Sequence, residues 1–370
     1  SVPGVFDAMT GSVRVRQELD AGWRWTTQYG AQRLKTDDRL IFGYGCTSEI
    51  NFSQYCSNGT FDLYDYRSNN ERRLTDALES DISGQLNVGE IKHSISVGVL
   101  RQRQLDRFPP NQSYALMSTL GNVFAPFSSA PNPVFTTVNS NRSEYSTELS
   151  FKDHVELTSR TSIWAGLRHV MFNRSSEQND TTAPNNMSYI GNINVPWLGV
   201  STQLSNALAY ASHGHGVENF VVPNSTATYW VNAGQQLGVG RSRQTELGLR
   251  SLNAQNPMQW NASLFQIERP LAYDDGNGSR LLDGKETHQG IELGGNLTQN
   301  QWKFGSTVQW LHATISDVTQ TTGIVGTAPL NVPKFVLRGM AEYRYSSVPG
   351  LRTGMRVSHE GERNVTETSN

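Results

Sequence analysis

The stretch EYSTELSFKDHVEL (Glu144–Leu157) decides the fold. Tyr145, Thr147, Leu149, Phe151, Val155 and Leu157 alternate with Glu144, Ser146, Glu148, Ser150, Lys152, His154 and Glu156, so one face is apolar and the other polar and charged. A period of two places alternate side chains on opposite faces of an extended strand. The same pattern returns at FVLRGMAEYRY (Phe335–Tyr345), where Phe335, Leu337, Gly339, Ala341, Tyr343 and Tyr345 oppose Arg338, Glu342 and Arg344. It returns again where Leu351, Met355 and Val357 oppose Arg352, Arg356, Ser358 and Glu360. Leu74, Leu78, Ile82 and Leu86 repeat with a period of four, and no stretch carries a helical i, i+3, i+4, i+7 stripe.

Working outward, alternation predicts fourteen strands: 12–19, 23–35, 72–86, 92–102, 143–156, 162–172, 189–203, 207–214, 241–252, 259–269, 287–298, 301–314, 335–346 and 351–360. Their connections alternate between short and long. Short turns are read at Asp20–Gly22, Asn87–Ile91, Leu157–Thr161, Leu204–Asn206, Asn253–Met258, Gln299–Asn300 and Ser347–Gly350. Long polar loops are read at 36–71, 103–142, 173–188, 215–240, 270–286 and 315–334. Tight turns at one rim and long loops at the other mark an antiparallel up-and-down transmembrane β-barrel. A soluble sandwich or propeller also alternates, but its strands run to about 5–6 residues, whereas most here reach the length that crosses a tilted membrane.

Composition agrees. The chain has 370 residues, is 36% hydrophobic, and has a formal net charge of -2; its mean hydropathy is -0.50 and its pI near 6.5. A barrel reconciles many strand formers with so polar a chain, because only alternate residues face lipid. The balanced charge gives no reason to expect a nucleic-acid partner. No apolar run is long enough for a spanning helix, so membrane crossing must use strands. Trp23, Trp25, Trp164, Trp197, Trp260, Trp302 and Trp310 lie near strand ends, as interfacial girdle residues or as ordinary packing.

Cys46 and Cys56 lie in one polar, Gly- and Asn-rich segment, which favours a disulfide over two free thiols or a shared metal. The sequence holds no P-loop, G-x-S-x-G, H-E-x-x-H or zinc spacing, and no enzyme is expected.

YDYRSNNERRLTDALESDISGQLNVGEIKHSISVGV (Tyr64–Val99) resembles a hairpin of the TonB-dependent siderophore-receptor barrels, through Arg67, Glu71, Arg72, Arg73, Thr75, Asp76, Ala77, Gly84, Gly89 and His93. Pro196–Asn224 with Asn232–Ser251 resembles the family's Y-A-S, G-x-E, P-N, N-A-G and S-R-Q-x-E-x-G succession. A third match runs through Leu264–Asp275, Asp283–Gly295 and Leu330–Tyr345, so the resemblance covers most of 60–360 in family order. It implies a bacterial outer-membrane receptor for ferric siderophores, with no cofactor of its own, energised by the TonB–ExbB–ExbD complex through a plug domain. Such barrels have about 22 strands. Residues 1–370 accordingly read as a partial barrel, with the plug and final strands absent. The competing readings are a passive porin-like channel, a haem or cobalamin receptor, and a soluble β-rich adhesin or carbohydrate-binding protein.

Loops of such a receptor would contact the ligand through aromatics, here Tyr44, Tyr55, Tyr64, Phe108, Tyr114, Phe124, Phe127, Tyr229 and Trp230. Loop self-packing is the plain alternative for each of them. His213 and His215, an H-x-H pair on one strand face, are weak metal or haem candidates, where similar receptors carry an aromatic and a Gln.

Overall fold

A computed structural model describes residues 4–50, 54–117, 120–126, 134–179, 186–222, 230–252, 256–318 and 328–364. Its strands are β1 (Val5–Glu18), β2 (Arg24–Gly43), β3 (Thr60–Phe61), β4 (Leu63–Val88), β5 (Ile91–Arg107), β6 (Asn111–Leu116), β7 (Gly121–Asn122), β8 (Thr137–Val138) and β9 (Ser140–Glu156). They continue as β10 (Thr161–Gln178), β11 (Asn186–Gln203), β12 (Ala207–Val221), β13 (Gln236–Ser251), β14 (Met258–Asp274), β15 (Arg280–Gln299), β16 (Trp302–Ser316), β17 (Phe335–Arg344) and β18 (Arg352–Glu360). Among the described residues the only helical pieces are two single 3-10 turns, Asp20–Gly22 and Thr47–Glu49. No helix is long and apolar enough to cross a membrane, which says nothing about strands.

One antiparallel sheet contains the wall, in the order β1-β2-β4-β5-β9-β10-β11-β12-β13-β14-β15-β16-β17-β18, with β6 and β8 added beside β4. Each wall strand pairs with the next along the chain, the simplest topology a meander allows. Among the described residues β1 pairs only with β2, and β18 only with β17, so the outer edges of both stay open.

Register separates two faces. Leu149 lies beside Val99 and His169, and Phe151 beside Val97 and Leu167. Leu198 opposes His213, and Leu247 opposes Ala211 and Leu264. Leu149, Phe151, Leu167, Leu198, Leu247, Leu264, Ile291 and Leu293 are all exposed, a continuous apolar surface that water would not tolerate. The opposite face is polar and more shaded. Ser201 and Ser263 are buried there, and Arg168 pairs with Glu148 at 3.2 Å and Arg174 with Glu144 at 2.8 Å. Small residues shade one another only on a concave surface, so the polar face is the inner one and the apolar face the outer.

The short turns collect at one end. β4 reverses into β5 through Gly89 and Glu90, where Gly89 takes φ +65°, the left-handed conformation that a two-residue hairpin requires and glycine adopts without strain. On the outer face near these turns stand Trp23, Trp25, Trp260 and Trp302, with Tyr343 at 4.8 Å from Trp302 and Phe304 stacked on it at 5.5 Å. Trp164 and Trp197 depart from the girdle expectation. Trp164 stacks on His154 at 4.9 Å and Trp197 covers Gly166 and Gly214, both on the inner face.

The strands also outrun their predicted limits on the loop side. β4 has 26 residues, β2 extends to Gly43, and β6 and β8 occupy part of the predicted loop 103–142. Beyond the apolar belt both faces meet polar surroundings, so alternation disappears from the sequence while the hydrogen-bonded ladder continues.

We expect Leu198→Arg, placed in the middle of the outer face, to destabilise the folded barrel in lipid vesicles by about 2–4 kcal/mol. Glu148→Gln on the inner face should cost far less, and urea unfolding in liposomes measures both.

Candidate ligand site at the loop rim

The loop-side extension of β2, β4 and β6 carries an aromatic platform. Phe42 pairs with Tyr64 across β2 and β4, and Tyr66 with Tyr114 across β4 and β6. Tyr64 stacks on Tyr114 at 5.5 Å and on Phe42 at 5.7 Å, and Tyr44 meets Tyr64 edge-on at 6.5 Å. The segment between β2 and β4, beyond the end of this extension, is tied together. Cys46 and Cys56 form a disulfide, and the backbone N–H and hydroxyl of Thr47 donate to the buried Asp62 carboxylate at 2.7 and 2.6 Å. Tyr55 stacks on Phe61 at 4.6 Å beside that disulfide.

A bulge at Asn70, whose φ is +60°, separates this extension from the wall. Just below it, Glu71 is 2% exposed and accepts from the Thr36 hydroxyl at 3.1 Å and from Arg73 at 2.8 Å. Arg73 in turn lies 5.7 Å over the ring of Phe108, so a buried carboxylate fixes an aromatic through a cation. Burial first, and then the Glu71 charge, raises the Tyr66 hydroxyl above its usual range, which keeps it protonated.

A second feature lies across the rim. The ladder between β11 and β12 stops at Trp197 and Gly214, and that between β13 and β14 stops at Arg243 and Glu268, while β12 and β13 stay paired up to Val221 and Gln236. The tip of this hairpin is therefore detached from both neighbours. Val217 and Val239 on it pack against Val170, Phe172, Ile193 and Val195, an apolar cluster on the inner face of β10 and β11. The hairpin thus leans inward over the wall. Between them is a pocket of about 270 Å³, lined among others by Asp106, Arg142, Glu144, Arg174, Tyr189 and Gln236. Arg174 also lies 5.5 Å over the Phe172 ring, and its Nε is buried with no partner among the described residues.

The structure gathers Tyr44, Tyr64 and Tyr114 into one platform and stacks Tyr55 on Phe61 beside the disulfide. Phe108 sits on the Arg73 side, Phe124 is 84% exposed, and Trp230 is held at the far rim by Asp274 at 2.8 Å and Arg280 at 5.4 Å. Phe127 and Tyr229 lie outside the described residues. His213 and His215 pack edge to face at 5.4 Å, but His213 follows Leu198 and Thr245 onto the outer face, away from the pocket. Among the described residues one group has three metal-ligand types, Cys46, Glu49 and Cys56, and its sulfurs are tied in the disulfide. Sequence reasoning missed Phe42, Arg174, Tyr189 and Gln236. Phe42 stands two residues before Tyr44, and that spacing was its one visible signal.

The TonB-dependent receptor-like β-barrel family matches residues 4–370. The chain belongs to that family. Barrels of the family reside in the bacterial outer membrane, so the exposed apolar face is the lipid-facing wall. Similar solved structures include the ferric-catecholate import receptor Fiu from E. coli K12, with 14% identity, 97% of this chain and 55% of that chain covered, and a TM-score of 0.77. The siderophore receptor PiuA from Acinetobacter baumannii has 14% identity, with 96% and 54% covered and a TM-score of 0.75. BauA, the ferric preacinetobactin receptor of the same species, has 16% identity, with 91% and 49% covered and a TM-score of 0.71. The chain thus spans about half the length of the structures it resembles. A sequence comparison with curated proteins finds no match.

Phe172→Ala in this TonB-dependent receptor barrel removes the buried ring beneath the inward hairpin and should cost about 3 kcal/mol locally. Hydrogen exchange should then accelerate in Gly214–Val221 and Gln236–Arg241 while the β9–β10 ladder stays protected.

Proposed function

We propose that the whole protein is a receptor for ferric siderophores, that it binds them at the loop rim, and that the TonB complex energises their passage. The observation that carries this reading is the rim itself: an aromatic platform and a polar, arginine-bearing pocket, both turned to the side of the long loops in a barrel of this family. Flat ligand arms around a shielded metal suit stacked rings, and their anionic oxygens suit Arg142 and Arg174. The solved relatives are named as receptors for such ligands. The open edges of β1 and β18 are what further strands of a barrel of about 22 would satisfy, with a plug in its lumen. Recognition and gated passage make or break no bond.

Iron-limited growth of a deletion strain fed a panel of ferric siderophores tests the proposal. Growth should fail on one chemical class, and loss of TonB should reproduce that failure. Unchanged growth on every siderophore would sink the transport reading, and uptake that persists without TonB would point to a passive channel.

Tyr64→Ala together with Tyr114→Ala dismantles the platform and should weaken binding of the cognate ferric siderophore roughly 10-fold. Tryptophan quenching titrations on the purified receptor read the change.

A further inference from the structure

On the outer wall one group of cations stands together without acidic partners among the described residues. Lys35 pairs in register with Arg72, and Arg72 with Arg107, so three cations stand side by side across β2, β4 and β5. Arg33 projects from the same face one step nearer the apolar belt, opposite Met9 and Leu74. Like charges directly opposed across a ladder are destabilising. Among the described residues none of these four has a carboxylate within ion-pair distance: Arg107 donates to the Arg142 carbonyl at 2.7 Å and the Ser143 hydroxyl at 2.9 Å, and Arg72 to Asn70 at 3.4 Å. The acids nearby are Asp7, opposite Lys35, and Asp76, which Arg103 already occupies at 2.8 Å.

Height matters as much as sign. Arg33 stands roughly ten residues above the Asp20–Gly22 turn, about 33 Å along the strand and about 25 Å along the membrane normal once tilted. That is the height of the apolar band, so the row lies at the loop-side membrane surface. On the outer face of β10 to β15, the corresponding positions are His169, Asn194, His213, Thr245, Gln266 and Gln289, which carry no fixed charge. Higher on that face, Arg243 and Lys285 each meet an acid, Glu268 at 2.8 Å and Asp317 at 3.0 Å. Arg33, Lys35, Arg72 and Arg107 rim a hollow of about 520 Å³ whose lower walls are Met9, Leu74 and Leu105.

We propose that this patch binds a phosphate-bearing lipid of the outer leaflet, with Lys35, Arg72 and Arg107 around the phosphate, Arg33 beneath it, and the upper acyl chain against Met9, Leu74 and Leu105. An anion over the row removes the repulsion that the ladder otherwise carries. A lipid supplies the phosphate at that height together with the apolar segment below it.

The test is native mass spectrometry of the full-length receptor in detergent, titrated with bisphosphorylated lipid A, its dephosphorylated counterpart and inorganic phosphate. Lipid A should be retained and the dephosphorylated form lost, and millimolar phosphate should not displace the lipid. Lys35→Gln with Arg72→Gln should weaken retention by roughly 30-fold, whereas Arg338→Gln with Arg344→Gln on the inner face should leave it unchanged. If the double variant fails to show heat-modifiable migration, Arg33→Gln alone should still weaken retention several-fold. Equal retention of both lipids, unchanged retention by folded variants, or displacement by free phosphate would each overturn the proposal.

Discussion

Everything in this molecule depends on the interstrand hydrogen-bond ladder. In hydrocarbon, an unpaired backbone N–H or C=O costs several kcal/mol, and no water is present to relieve it. A meander in which each strand pairs with its sequence neighbour satisfies those groups with the shortest connections, and among the described residues it leaves the first and last wall strands with one neighbour each. Once the ladder is made, the pleat dictates the rest: alternate side chains face lipid, and the others face the interior.

The ladder also explains where recognition groups can lie. Within the apolar belt it cannot be interrupted, so the inner wall keeps its regular rows of side chains, among them Arg168 paired with Glu148. Above the belt the constraint relaxes. There the chain tolerates the bulge at Asn70, the detachment of the β12–β13 tip at Gly214, and the disulfide-bound segment between β2 and β4. Each departure from regular pairing moves side chains out of the wall, and the aromatic platform and the inner pocket are both built this way.

Electrostatics divides the wall along the same lines. Inside, Glu144, Glu148 and Glu218 each answer an arginine. Outside, at the height where hydrocarbon gives way to headgroups, Lys35, Arg72 and Arg107 stand in one row. A folded protein retains such a row when its surroundings provide the counter-charge.

The sequence by itself determined the fourteen strands of the wall, the order of short and long connections and the two faces, because a two-residue period cannot be shifted by one position without exposing every apolar side chain to the wrong medium. It also held the family motifs from Tyr64 onward and several rim aromatics, Tyr44, Tyr64 and Tyr114 among them. Only the tertiary structure decided how far the strands run above the belt, that Trp164 and Trp197 turn inward, that His213 faces outward, and that Val217 and Val239 close over Phe172 and Val195. Those outcomes rest on contacts between strands far apart in the chain, in a region where neither face is oily, and there local pattern carries no record of which neighbour a side chain will meet.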